Sequence, residues 1–288
     1  LTVLLFLPVL QNFSKSASPH GNFSPDGTGR QTDCRFPQKH GYGYHIRLLQ
    51  SQFFHPVLSD NRNVQNTHMH LPELPQTTVL YSEIGYYSSP YEGTDYSYVH
   101  DCSTTGFLDG EQVPLRDVFN GTILPSGGES AYQLAVYTAG SMEAFVDMMN
   151  QKAAELGIGQ TTHFANPVGI YDENNYSTAY DMAVIMQAAM QDDICKTVLS
   201  NHTYSTAATP QHPENLNISN LFLRRIEDKM TSGEVIGAKT GFVNQSGNCA
   251  VSYEKAASGK TYICVTAGAS SGWHCIDNHV YLYNTYGK

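Results

Sequence analysis

The chain has 288 residues, a formal net charge of -10 and only 15% charged residues. That length can bury a sizeable core in one large domain or two modest ones, and the acidic balance excludes nucleic acid as a natural partner. Nowhere does it reach the ~18 consecutive apolar residues that a membrane-spanning helix needs.

Residues 1–10, LTVLLFLPVL, have the apolar character of a secretory signal core without the basic segment that normally precedes it. Export to the cell envelope or beyond is the expectation, with a buried strand as the alternative. Residues 11–105 form a second block, rich in His, Gln, Asn, Ser, Pro and Tyr up to about residue 100 and poor in sustained apolar periodicity. Two explanations stand for it: translation out of frame, or a disordered linker unusually rich in aromatics. His68 and His70 are two apart, a spacing that puts two imidazoles on one face of a strand. No third ligand follows at a telling spacing, so no metal is assigned.

From about Gly106 to Lys288 the chain reads as a well-made globular domain. Helices are predicted at Pro114–Asn120, followed by a turn at Asn120-Gly121, then at Ser130–Ala139 and Ser141–Leu156, the last capped by Ser141. Another is predicted at Ala179–Met190, with Thr178 as N-cap and Asp181 in capping-box position. Strands are predicted at Leu221–Ile226, Val235–Val243, Asn248–Tyr253 and Thr261–Ala267, and Tyr281–Tyr286 begins a closing helix. Helices followed by antiparallel strands define an α+β layout. A hairpin register pairing Tyr253 with Lys260 sets Cys249 opposite Cys264, as a disulfide or as two buried thiols.

The chemistry concentrates in two short motifs. Along a strand, Lys239 and Gly241 face one way and Thr240 the other. On an edge strand they offer an extended peptide a charge and an open backbone. Ser126-Gly127-Gly128 stands about a hundred residues upstream. Ser126 read alone is a turn or cap residue, and Lys239 an edge-guarding lysine. His163 reads as structural, and Asp172, Glu173 and Asp181 as solvated or capping carboxylates.

The residues between the motifs change that balance. Leu124-Pro125-Ser126-Gly127-Gly128, Thr162-His163-Phe164-Ala165-Asn166-Pro167-Val168-Gly169, Tyr176-Ser177-Thr178-Ala179 and Asp181-Met182-Ala183 together resemble the D-alanyl-D-alanine carboxypeptidases, the low-molecular-weight penicillin-binding serine peptidases. The resemblance implies the serine β-lactamase and penicillin-binding fold, an antiparallel sheet flanked by helices with a helical subdomain carrying Ser126. It implies peptidoglycan stem peptides ending in D-Ala-D-Ala as substrate, cut through an acyl-enzyme, and β-lactams as ligands wherever the nucleophile is intact. Ser126 takes the catalytic role of the second-motif serine, and Lys239, Thr240 and Gly241 form the third, substrate-binding motif. No metal or organic cofactor is implied. For a full-length parent the family also implies peripheral membrane association.

Two departures stand out. Gly128 occupies the place where the family has asparagine, and no Ser-x-x-Lys nucleophile motif precedes Ser126, because Asn12 and Phe36 stand three residues before Lys15 and Lys39. Loss of the nucleophile removes essentially all covalent catalysis, which leaves a catalytically inactive peptidoglycan-binding or interaction protein of the same fold as the alternative. A divergent enzyme with another nucleophile, such as Ser126, is a third reading. Out-of-frame translation of residues 11–100 explains both the missing motif and the missing periodicity. It predicts a Ser-x-x-Lys with family-like flanks in another reading frame of the coding DNA, and two frames without one would sink it.

Overall fold

The computed structural model describes residues 102–108 and 110–287, together with strand segments at Thr32–Asp33 (β1), His45–Gln50 (β2), Thr78–Leu80 (β3), Tyr87–Ser88 (β4) and Asp95–Tyr96 (β5). The signal-like residues 1–10 and the His68/His70 pair lie outside the described residues. Short strands at Gln112–Pro114 (β6), Thr203–Ser205 (β7) and Asn217–Ser219 (β8) lead to three long ones, Gly233–Val243 (β9), Gly247–Ala256 (β10) and Thr261–Ala269 (β11). The main sheet has five antiparallel strands in the order β1-β2-β11-β10-β9. β2 belongs to the block where sequence reasoning assigned no element, yet it pairs along β11 from Tyr262↔Gln50 to Ala267↔His45.

Because strand side chains alternate, the sheet has two apolar faces, and each is covered. One face carries Cys249, Val251, Ile263 and Val265 and packs against Met182, Ile185, Met186 and Ala189 of the helix Ala179–Gln191. The other carries Ala238, Ala250, Cys264 and Ala269 and meets Cys275, Ile276, Leu282 and Tyr283 of the closing helix Gly272–Tyr286. That helix starts at Gly272, nine residues before the expected Tyr281. Its N-cap is Ser271, whose hydroxyl accepts from His274 N at 3.1 Å. Beneath it, buried His279 shares hydrogen bonds with Ser252 at 2.7 Å and Thr266 at 3.0 Å. Burial pushes the His279 imidazole down to about 3, so a neutral ring fills this polar gap in an otherwise apolar layer.

The helices follow their caps closely. Ser141 accepts from Ala144 N at 3.1 Å to open Met142–Glu155, and Thr178 accepts from Asp181 N at 3.1 Å to open Ala179–Gln191. Asp181 is no solvated carboxylate. It is buried and accepts from Thr162 at 2.8 Å, tying the preceding loop to the helix. A further helix, Asp193–Ser200, starts at Asp192, which accepts from Cys195 N at 2.8 Å; its capping aspartate signals it in the sequence, but its length of two turns does not.

Three sequence expectations are corrected. The first helix runs Leu115–Ile123, so Asn120-Gly121 is helical and not a turn. Gly121 serves close packing instead, since a Cβ there would lie 2.6 Å from Thr105 Oγ1 and 2.9 Å from Ser130 Oγ. The expected strand Leu221–Ile226 is replaced by a one-turn helix, Leu223–Ile226. Asn220 starts it by accepting from Phe222 N at 3.0 Å and Leu223 N at 3.1 Å. Finally, Tyr253 pairs with Ile263 and Ser252 with Cys264. Cys249 and Cys264 therefore face opposite sides of the sheet as free thiols, and burial pushes Cys249 up to about 12.

Asn220 also donates to Ala238 O at 3.0 Å, joining the short helix to β9 one residue before Lys239. Asn220→Ala strands that carbonyl and two helix-start N–H groups in a buried site. It is expected to lower stability by about 2–3 kcal/mol, read as a lower urea midpoint at unchanged slope.

Candidate active site

Ser126 sits between the helices Leu115–Ile123 and Gly128–Ala139 with φ at 62°, a left-handed backbone rare for a residue bearing a Cβ. Such a conformation costs about 1–2 kcal/mol and persists only where the surroundings fix it. Here they do. Gly127 N donates to Gly121 O and Gly128 N to Ser103 O, both at 2.9 Å.

Residues 102–106 form a strap across this turn. Glu129 accepts from Thr105 N, and from Gly106 N at 3.2 Å, while Thr105 and Ser130 hydroxyls meet at 2.7 Å. Burial raises the Glu129 carboxyl above its ordinary range against these backbone donors. The strap explains both glycines of the motif. A Cβ on Gly127 would lie 2.2 Å from Thr105 Oγ1, and one on Gly128 would lie 2.8 Å from Cys102 Cβ and 3.1 Å from Val168 Cγ1. Cys102 and Val168 thus crowd the space that a side chain at position 128 would take.

On β9, Lys239 is 1% exposed and its Nζ donates to Ser126 Oγ and to Thr240 O. Burial alone pulls the Lys239 ammonium down to about 7, and no carboxylate pairs with it among the described residues. Thr240 points to the opposite face, with Ala238 and Ala250, and Gly241 lies across from Cys249. β9 is an edge of the five-stranded sheet among the described strands; Ile236 O, Ala238 O and Thr240 O along it accept from Ser200, Asn220 and Lys239, so an added peptide has the stretch from Gly241 onward.

Ser126, Ser103, Thr240, Gly241, Phe242 and Arg225 line a cleft of about 290 Å³. Val168 and Ile170 form part of its wall. Their loop is shaped by Asn166, which accepts from Val168 N at 3.2 Å and Gly169 N at 2.7 Å and donates to Ile170 O at 3.1 Å. The structure thus brings all four predicted residues, Ser126, Lys239, Thr240 and Gly241, to one place. His163 stands apart, bonded to Asn174 O at 2.8 Å and stacked on Tyr176. Arg225 and Cys102 were missed by sequence reasoning. Arg225 lay in a segment read as a strand, and Cys102 in the block without periodicity.

A serine and a lysine three apart do occur once in the chain, at Ser252-Tyr253-Glu254-Lys255. They lie on β10, where an odd separation puts them on opposite faces. Ser252 is buried against His279 and Tyr283 while Lys255 is exposed, so this pair is not a nucleophile and its base.

A buried lysine on the edge strand, bonded to a strained serine beside an open cleft, is the geometry of this site. A family model described as D-alanyl-D-alanine carboxypeptidase matches residues 88–271, and the chain belongs to that family. It is 32% identical over 167 residues to D-alanyl-D-alanine carboxypeptidase DacF of Bacillus subtilis, covering 57% of this chain and 41% of that protein. To the D-alanyl-D-alanine carboxypeptidase of Streptomyces sp. strain K15 it is 30% identical over 184 residues, 62% of each chain. The crystal structure of the Streptomyces K15 DD-transpeptidase superposes with a TM-score of 0.56 at 27% identity, covering 65% of this chain and 72% of that one. The chain therefore spans less than two thirds of the length of these two curated relatives.

Lys239 gives a stability test. Its folded pKa lies below its ordinary 10.5, so between about 7 and 10.5 the unfolded chain binds the extra proton and stability rises with pH. Below about 7 both states are protonated and the burial penalty is complete. Lys239→Met is therefore expected to stabilise the protein by a few kcal/mol, on the order of the ionisation penalty, with the largest gain below pH 7. Thermal unfolding from pH 6 to 9 measures it, and a destabilised variant at pH 6 contradicts it.

Proposed function

We propose that this chain carries the frame of a serine-type D-Ala-D-Ala carboxypeptidase for peptidoglycan stem peptides, with the Ser-x-x-Lys nucleophile that the acyl-enzyme step requires missing from its sequence. The observation that carries this reading is the hydrogen bond from buried Lys239 to Ser126. A lysine with a pKa of about 7 can take and return a proton near neutrality, and Ser126 is the hydroxyl through which that proton passes to a leaving amine. Gly241 leaves the strand backbone clear for the peptide, and Thr240 offers a hydroxyl to its C-terminal end. Action on peptidoglycan implies export to the envelope. No described helix is long and apolar enough to cross a membrane.

The second reading, a stem-peptide-binding protein that does not cut, is favoured by one observation. The single Ser-x-x-Lys of the chain lies on β10 with its serine sealed under the closing helix. Binding and acylation separate the two readings. The chain is expected to bind a diacetyl-Lys-D-Ala-D-Ala peptide by calorimetry while forming no covalent adduct with a fluorescent β-lactam. Adduct formation at a serine would establish the enzyme, and absence of peptide binding would remove both readings. Peptide affinity should fall roughly 3- to 10-fold as pH rises through about 7 and Lys239 loses its charge, a dependence that Lys239→Met abolishes.

A further inference from the structure

The closing helix is joined to the sheet by one continuous chain of side-chain hydrogen bonds. Tyr283 meets Ser252 at 2.7 Å, Ser252 meets His279 Nδ1 at 2.7 Å, and His279 Nε2 meets Thr266 at 3.0 Å. Thr266 then donates to Cys275 Sγ at 3.8 Å, and Cys275 donates to Asn248 O at 3.2 Å. Tyr283, His279 and Cys275 come from the helix, Ser252 and Asn248 from β10, and Thr266 from β11. All five side chains are buried.

The far end gives the chain a direction. Asn248 O is a carbonyl and only accepts, so the Cys275 thiol points its proton there and takes the Thr266 proton on its sulfur. Thr266 therefore accepts from His279 Nε2–H. A neutral imidazole carries one such proton, so Nδ1 accepts from the Ser252 hydroxyl, which accepts from Tyr283 in turn. Run the other way from His279, the chain would leave the Tyr283 proton without an acceptor among the described residues, in a buried site.

Acid has one place to act on this chain. A second proton on His279 turns Nδ1 into a donor aimed at Ser252, whose own proton then loses its acceptor. It also leaves a buried cation with no carboxylate bonded to it. Cys275 and Tyr283 on the helix and Cys264 on β11 surround this layer, and burial pushes all three up, Cys275 to about 11. They stay neutral in acid and offer no counter-charge. Phe222 meets the ring edge-on, with centroids 4.8 Å apart. The nearest charges are Arg225, felt at Cys275, and Glu254, felt at Cys264 and Tyr283.

We infer that this chain is an acid-released latch, which holds the closing helix on the sheet only while His279 is neutral. Because Cys275 and Asn248 also line the cleft, release loosens one wall of the cleft along with the helix.

Burial holds the His279 imidazole down to about 3, against an ordinary value of about 6.5. Between these limits the open state binds the extra proton, so opening grows about tenfold for each pH unit of acidification. Glu254 works in the opposite sense, since burial raises its carboxyl and the closed state gains as pH falls. The slope is therefore read in Glu254→Gln. Amide hydrogen exchange on the full chain, corrected for intrinsic rates, should show closing-helix protection falling roughly 100-fold from pH 6.5 to 4.5. Protection of Met142–Glu155 should change little. Adding His279→Phe should remove the slope, with Ser252 and Thr266 still paired to Tyr283 and Cys275. In the unsubstituted chain, ¹⁵N NMR at pH 5 should show a neutral His279 ring protonated on Nε2. That signal and the Glu254→Gln slope decide the matter even if His279→Phe does not fold. No slope, an equal fall in Met142–Glu155, a slope that survives His279→Phe, or a ring protonated on Nδ1 overturns the latch. None of these readouts involves a ligand, so they bear on the latch alone and leave the stem-peptide reading untouched.

Discussion

The buried ammonium of Lys239 is the constraint around which the rest of the domain is arranged. Taking a lysine out of water without a carboxylate is among the costlier things a fold can do. Here the cost is met by two oxygens, one from the Ser126 side chain and one from the strand itself. That bond joins the two parts of the domain, since Ser126 stands between helices and Lys239 stands on the sheet edge. Each partner is held in a state it would not choose alone, the serine by its left-handed backbone and the lysine by its dehydration. A contact assembled from two unfavourable states lowers stability locally and is held in place by the packing around it.

Much of this was legible in the sequence, and the reasons differ by element. The helices Met142–Glu155 and Ala179–Gln191 follow from their caps and apolar spacing, because Ser141 and Thr178 act locally. The strand Gly233–Val243 follows from alternation, and its Lys-Thr-Gly motif fixes which side chains share a face. Leu221–Ile226 misled because its apolar content suits a strand. What decides it is the buried amide of Asn220, whose partners on β9 lie 18 residues away. No local pattern reports a long-range hydrogen bond of that kind. The error also hid Arg225, whose guanidinium rests over Trp273, nearly fifty residues downstream.

The cysteine register failed for a related reason. The turn after Ala256 sets Lys255 against Thr261, and that register holds unbroken to Ala250↔Thr266, three residues away from the one that turn counting suggests. Once the register moves, Cys249 joins the face under the helices and Cys264 the face under Tyr283. The same logic disposes of Ser252 and Lys255, whose spacing suits a helix and is meaningless on a strand. A motif is a statement about three-dimensional placement, and the same letters carry it only on the right backbone.

The meeting of Cys102 with Gly128 has an evolutionary consequence. Because one side chain fills the room that the other position would need, the two sites are not free to change independently. An asparagine arriving at 128 meets a blocked space unless 102 has already shrunk, and a smaller residue at 102 opens a void unless 128 has already grown. Each intermediate is worse than either end. A side chain at 128 therefore needs Cys102 and Val168 to give way together, which ties three positions from separate segments into one packing decision.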